Sequence, residues 1–162
     1  MNFIADGMLG KLTRWLRMLG HNVKYSSTLE DAQLIKIAEK ERRILLTRDL
    51  ELYRQATAKG LNTFYIETRA EEEKLAEVAA RFRIKLDMDM ARSRCPNCNV
   101  KVKPIFKERI VDKVEKSTYA HYDEFWQCPE CKQVYWQGAH WKKIRETLEM
   151  AKENLERLEP ED

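Results

Sequence analysis

The sequence predicts an α/β fold: a parallel sheet with helices on both faces, then a small metal-stapled module and a C-terminal helix. Three observations carry this. Over residues 1–83 short apolar runs alternate with amphipathic stretches of helical period. Short connections of that kind force parallel strands with right-handed crossovers. Two Cys-x-x-Cys pairs, Cys95/Cys98 and Cys128/Cys131, then flank residues 99–127, and an amphipathic pattern follows over 140–158.

Each element has its own signal. Phe3-Ile4-Ala5 reads as a buried strand ending at Asp6-Gly7. Met8, Leu9, Leu12, Trp15, Leu16 and Leu19 then share one helical face, and Gly20 stops the helix. Lys11, Arg14 and Arg17 step by three along its flank as a basic stripe. Residues 22–25 form a short strand and 29–42 a helix with Leu34, Ile35, Ile37 and Ala38 inside. Asp31 falls in its first turn, in line with that apolar stripe. There it either favours the helix dipole or serves a site, and Glu30 beside it suits both roles equally. Residues 43–47 are the clearest strand, apolar through Ile44-Leu45-Leu46 and so central. It ends at Arg48-Asp49, and a helix spans 50–59. A strand at 62–66 and a helix at 71–82, with Leu75, Val78, Ala79 and Phe82 inside, complete the sheet domain. Residues 84–93 read as a linker carrying solvated Asp87 and Asp89, which places the domains at 1–90 and 91–162.

The chain has 162 residues, 43% hydrophobic and 35% charged, enough for a real core. Net charge is +3, distributed as +4 over residues 1–94 and −1 over 95–162. A surplus this small is weak support for an anionic partner. There is no apolar run of membrane-spanning length and no basic leader before the first apolar run, so a soluble, cytoplasmic protein is expected. His21, His121 and His140 lie far in sequence from the acids of interest, and no Ser-His-Asp or Cys-His set is apparent. Gly7 and Gly10 fit neither the dinucleotide-binding nor the P-loop pattern.

In a parallel sheet the C-terminal strand ends share one edge, where ligands bind. Asp6 and Asp49 follow two such ends and Asp31 opens a helix at the same edge, so three carboxylates converge. Asp6 as a simple helix cap is the alternative. Clustered aspartates repel unless a cation joins them, and hard oxygen ligands select Mg²⁺ or Mn²⁺. Such ions suit phosphodiester cleavage. Lys11, Arg14, Arg17 and Arg48 are placed to hold backbone phosphates.

Cys95, Cys98, Cys128 and Cys131 supply four thiolates for a closed tetrahedral Zn²⁺ site, structural because no position stays open. Redox-active pairs are the weaker alternative. The wide gap requires extra strands, placed at 101–111 and 119–127, with another at 133–136. This is a zinc ribbon in outline. Tyr135, Trp136 and Trp141 either fill its thin core, the favoured reading, or stack on nucleic-acid bases. His140 is a spare ligand or an RNA contact, though four cysteines make neither necessary. Residues 156–162 read as an acidic, frayed tail.

Four separated motifs carry a family resemblance: residues 3–17 (Phe-Ile-Ala-Asp-Gly-Met-Leu-Gly-Lys-Leu-Thr-Arg-Trp-Leu-Arg), Leu45-Leu46-Thr47-Arg48-Asp49, Ser93-Arg94-Cys95-Pro96-Asn97-Cys98-Asn99 and Tyr135-Trp136-Gln137-Gly138-Ala139-His140-Trp141. Together, and over nearly the whole chain, they resemble the Mut7-C family, a PIN-like domain followed by a zinc ribbon. The resemblance implies a PIN-like parallel sheet, ribonuclease activity at an acidic Mg²⁺/Mn²⁺ site, a structural zinc, and RNA as partner, with ribosomal RNA and tRNA the classes considered. Asp6 and Asp49 match its motifs directly, and Asp31 or Glu30 lies in the segment that carries a further acid. Such sites often use a fourth acid, for which Glu67 is the candidate. An RNA- or ribosome-binding module with an inert PIN-like domain is the competing function, and a protein-interaction ribbon is a third.

Overall fold

The computed structural model describes residues 1–159. Four parallel strands, β1 (Asn2–Ala5), β2 (Asn22–Tyr25), β3 (Ile44–Thr47) and β4 (Thr63–Tyr65), lie in the order β2-β1-β3-β4. The alternation of side chains along a strand sorts the core into two layers. Phe3, Ala5 and Leu46 pack with Leu12 and Leu16 of α1 (Gly10–Met18) and with Leu75, Val78 and Phe82 of α4 (Glu71–Phe82). Ile4 and Leu45 point the other way, into Leu34, Ile35 and Ala38 of α2 (Asp31–Glu41) and Leu52 and Ala56 of α3 (Leu50–Ala58). β1 and β3 are covered on both faces, as their unbroken apolar runs require.

Helix α6 (Trp141–Leu158) returns to the sheet domain and packs along α4, with Leu148 and Ala151 in the same core as Phe3 and Leu12. Residues 84–93 run packed along that core, while Asp87 and Asp89 stay exposed as expected. Ile84 and Leu86 are buried in that core, and Met88 packs against it. Their every-second-residue spacing is an extended segment's way of burying one side. Asp87 ion-pairs with Lys152 of α6 at 2.7 Å, and Asp89 with Arg92 at 3.1 Å.

Three short antiparallel strands, β5 (Lys103–Ile105), β6 (Phe125–Gln127) and β7 (Val134–Tyr135), form the second sheet in that order. The long strands expected at 101–111 and 119–127 are cut short by a 3-10 turn at Lys107–Arg109 and by helix α5 (Lys116–His121). The physical reason is a small apolar cluster of Ile110, Phe125 and Val134, against which Tyr119 and Tyr122 both pack. Side chains three apart share a side when the backbone is helical and oppose one another when it is extended. At the other end of the chain, residues through Leu158 continue α6, whereas residues 160–162 of the expected frayed tail lie outside the described residues. Among the described residues no helix is long and apolar enough to cross a membrane.

Candidate active site and cysteine centre

The order β2-β1-β3-β4 reverses between β1 and β3, so the crossovers leave a crevice at their C-terminal ends, where α/β sheets bind ligands. Asp6 and Asp49 both lie there. Asp6 follows β1, and its backbone N–H donates to Leu46 O of β3 at 3.1 Å. Its buried carboxylate is used structurally as well. Oδ1 accepts from Met8 N at 2.8 Å, and Oδ2 accepts from the Thr47 hydroxyl and from Arg48 N at 2.9 Å. The cap reading is therefore realised. Three donors on a carboxylate with about four acceptor positions leave room for one further ligand.

Asp49 is the N-cap of α3, with Oδ1 accepting from Glu51 N (2.9 Å) and Leu52 N (3.2 Å). Among the described residues no hydrogen bond engages Oδ2. Asp31 stands exposed at the start of α2, not turned toward the core stripe as its spacing suggests. Its carboxyl sits above the usual aspartate range, through desolvation first and then through the charges of Asp49, Asp6 and Glu51. The charges of Asp49 and Asp6 thus reach Asp31, but among the described residues the group whose ligand atoms lie close enough to share a metal ion is the four cysteines, and the three aspartates do not form such a group. Glu30 is separated from Asp31 by role: it is the N-cap of α2 and forms a capping box with Gln33, whose Oε1 accepts from Glu30 N at 2.9 Å.

Glu51, an acid the sequence reading did not weigh, contributes its charge to Asp31. It lies in the first turn of α3, two residues beyond Asp49, and the acid-x-acid spacing at a helix start was the available signal. Glu67 instead lies toward Glu77, whose carboxyl is raised by burial and then, among charges, by Glu67 and Glu73.

The cations divide. Lys11 is exposed on α1. Arg48 is half-buried beside Asp6, with its guanidinium 3.4 Å from Glu67 O. Arg14 is exposed and donates to Asn97 Oδ1 at 3.0 Å. Arg17 is buried, and its fork is committed internally. Nε and Nη2 donate to Val23 O at 3.0 and 2.8 Å, and Nη1 donates to Pro96 O at 2.7 Å. Nothing of Arg17 faces the acidic crevice by way of these contacts. It ties the sheet domain to the first cysteine knuckle instead.

The four cysteines form a tighter set than the aspartates. Their sulfur atoms all lie within 4.8 Å of one another, and Cys95 and Cys131 are 3.8 Å apart. Bonds of about 2.3 Å around a tetrahedral Zn²⁺ place sulfurs about 3.8 Å apart, so the donor set fits that ion. The two knuckles are built alike. Asn99 N returns to Cys95 O and Lys132 N to Cys128 O, with Asn99 and Lys132 both at φ 66°. Tyr135 Oη lies 3.1 Å from Cys95 Sγ. Burial pushes the Cys95 thiol up, but hydrogen bonds from Tyr135 and from the Cys98 and Asn97 backbone outweigh it and leave the thiol below its usual range. Cys98 is pushed up to about 12 by desolvation and then by the neighbouring Cys131 and Cys128. Four thiols crowded this way resist ionising together without a cation between them.

The first knuckle also closes the sheet. Val23 N donates to Asn99 Oδ1 at 3.0 Å, and Asn99 Nδ2 donates to Asn22 Oδ1 at 2.9 Å. Both outward-facing backbone groups of Val23 on edge strand β2 are thereby satisfied, one by Asn99 and one by Arg17.

No curated protein and no solved structure matches this chain. A family model described as the Mut7-C RNAse domain matches residues 1–148. That match supports nuclease-type chemistry with RNA as the substrate class, and it spans both the acidic crevice and all four cysteines. The chain belongs to the Mut7-C RNAse domain family.

Proposed function

We propose that the protein is a Mg²⁺- or Mn²⁺-dependent ribonuclease with a structural zinc ribbon. Asp6, Asp31 and Asp49 hold the divalent ion, Glu51 adds a fourth acid, and Lys11, Arg14 and Arg48 hold RNA phosphates. The observation that carries this reading is that Asp6 and Asp49 follow the C-terminal ends of the adjacent parallel strands β1 and β3, where Asp6 Oδ2 accepts from Thr47 and Arg48 next to Asp49; the raised Asp31 carboxyl, shifted by desolvation first and then by Asp49, Asp6 and Glu51, supports it. Carboxylates at the switch point of a parallel sheet suit a hard divalent cation, which would draw them together on binding. An ion bound there supplies an activated water and stabilises the leaving oxygen.

The chain's own groups do the rest. Met8 N, Arg48 N and the Thr47 hydroxyl fix the Asp6 carboxylate, and the first turn of α3 fixes Asp49, so both acids are oriented in advance. Lys11 and Arg14 lie one helical turn apart on α1 and can follow successive phosphates. The ribbon adds RNA-binding surface beside Arg14 through Asn97.

The test is cleavage of a fluorescent single-stranded RNA in Mn²⁺ by the zinc-loaded protein and by its Asp31→Asn and Asp49→Asn variants. A loss of at least about 100-fold in both is expected. RNA that binds tightly but is cleaved by neither wild type nor variants points to the inert binding module. Cleavage equal in all three proteins places the activity elsewhere.

A further inference from the structure

A cavity of about 190 Å³ lies where α1, the first knuckle and the start of α6 meet. Met18, Met88, Trp136, His140 and Trp141 line it, and Arg14 and Arg94 are among its lining residues. We infer that it takes one unstacked nucleobase of single-stranded RNA, with Arg14 on the adjoining phosphate. This rests on the ribonuclease reading for the identity of the nucleic acid.

The walls fit a flat ring. Trp136 and His140 stand edge to face, with centroids 6.1 Å apart at 88°. Gly138 makes that pair possible: a Cβ there would lie 2.6 Å from the Trp136 indole nitrogen. Trp141 is buried and serves the core, whereas Trp136 is half-buried and His140 exposed. Trp136 also packs against Phe125, centroids 6.2 Å apart, so the motif at 135–141 fills core with Trp141 and part of Trp136 and leaves His140 and the rest of Trp136 as the cavity's aromatic wall. The volume is below the roughly 300–1,000 Å³ of drug-sized sites, which suits a single base. Charge complementarity selects a polyanion. The Arg14 guanidinium spends one N–H on Asn97, and Arg94, whose Nη1 donates to Asn99 O at 2.7 Å, carries a buried Nε with no hydrogen-bond partner among the described residues. Arg14 also lies within about 5–6 Å of Lys11 on α1, so this site continues the line of phosphate contacts proposed for the acidic crevice.

The experiment uses the zinc-loaded full chain in an Asp49→Asn background, so that RNA stays intact. The probe is a 12-nucleotide single-stranded RNA with one 2-aminopurine moved along it. Quenching at one position is expected. Trp136→Ala should abolish that quenching and weaken binding about tenfold or more, with the salt slope unchanged, and Trp136→Phe should restore most of the affinity. Arg14→Ala should lower the slope by about 0.7 per lost phosphate. His140→Ala, at an exposed position, should weaken binding and quenching without altering the melt or zinc content, which keeps the test valid if Trp136→Ala folds poorly. Wild-type affinity and quenching in both aromatic variants, alongside cleavage by the native protein, would overturn the pocket and leave the nuclease reading standing. A native protein that neither binds nor cleaves the probe would overturn both.

Discussion

Arg17 separates a structural guanidinium from an RNA contact, and the outcome can be worked from its hydrogen bonds. Arg17→Ala leaves a buried acceptor, Val23 O, and a part-buried one, Pro96 O, without donors. Hydrogen bonds to a charged group contribute about 1.5–3 kcal/mol each, and an abandoned buried acceptor costs about 1–3 kcal/mol. A loss of about 3–5 kcal/mol follows for the pair. Arg17→Lys keeps the charge, but one ammonium does not reproduce a planar fork serving two carbonyls, so a loss of at least about 2 kcal/mol is expected there too. Urea unfolding of the zinc-loaded proteins, followed by tryptophan fluorescence, reads the stability. RNA affinity against salt, measured well below the transition, reads the charge contacts. Both variants should unfold early, with their salt slopes intact. An Arg17→Ala protein as stable as wild type, but with a reduced slope, would refute the internal role and return Arg17 to the phosphate-binding set.

The acids predict a contrast between stability and activity. Asp6→Ala strips acceptors from Met8 N, Arg48 N and the Thr47 hydroxyl and should cost about 2–4 kcal/mol, whereas exposed Asp31→Ala should stay within about 0.5 kcal/mol in a urea melt. Equal costs would contradict the positions assigned to the two carboxylates. Removing zinc with a chelator should strip amide-exchange protection from residues 95–140 before the sheet domain responds, and a ribbon that stays protected without metal would contradict the thiolate centre. His21 gives an acid limit, because burial first, and then the N-terminal ammonium, Arg92 and Arg94, bring its pKa from 6.5 down to about 4. The unfolded imidazole gains its proton near pH 6.5 and the folded one only near 4, so stability is full above 6.5 and falls as pH drops from 6.5 to 4, by about 1–2 kcal/mol once solvent screening of the partly exposed ring is allowed for. In His21→Gln, unfolding free energy measured across that window should fall less steeply, and an unchanged slope would reject the assignment.

The sheet domain was legible because its signals are local. Ile44-Leu45-Leu46 is too short and too apolar for anything but a covered strand, and the helix expected at 71–82 is the helix observed. That Asp6 and Asp49 stand at the same sheet edge followed from topology, since one edge collects every such strand end. What stayed hidden depends on partners distant in sequence. Arg17 carries the same three-residue spacing as Lys11 and Arg14, and only the fold shows Pro96 O and Val23 O waiting for it. Residues 84–93 read as a linker because α6, which packs beside them, begins almost fifty residues later. The turn of helix at Lys116–His121 was missed because the small cluster under Tyr119 and Tyr122 is assembled from three separate segments.

The way Asn99 and Arg17 occupy Val23 has a consequence for solubility. An open strand flank is a template on which other chains can add and assemble, and folded proteins blunt such flanks. Here the blunting is delegated to a loop held in shape by four sulfurs. A protein stripped of its metal would bare β2 while its acidic crevice was still intact. It would then be expected to self-associate under conditions where the metal-loaded form stays dispersed.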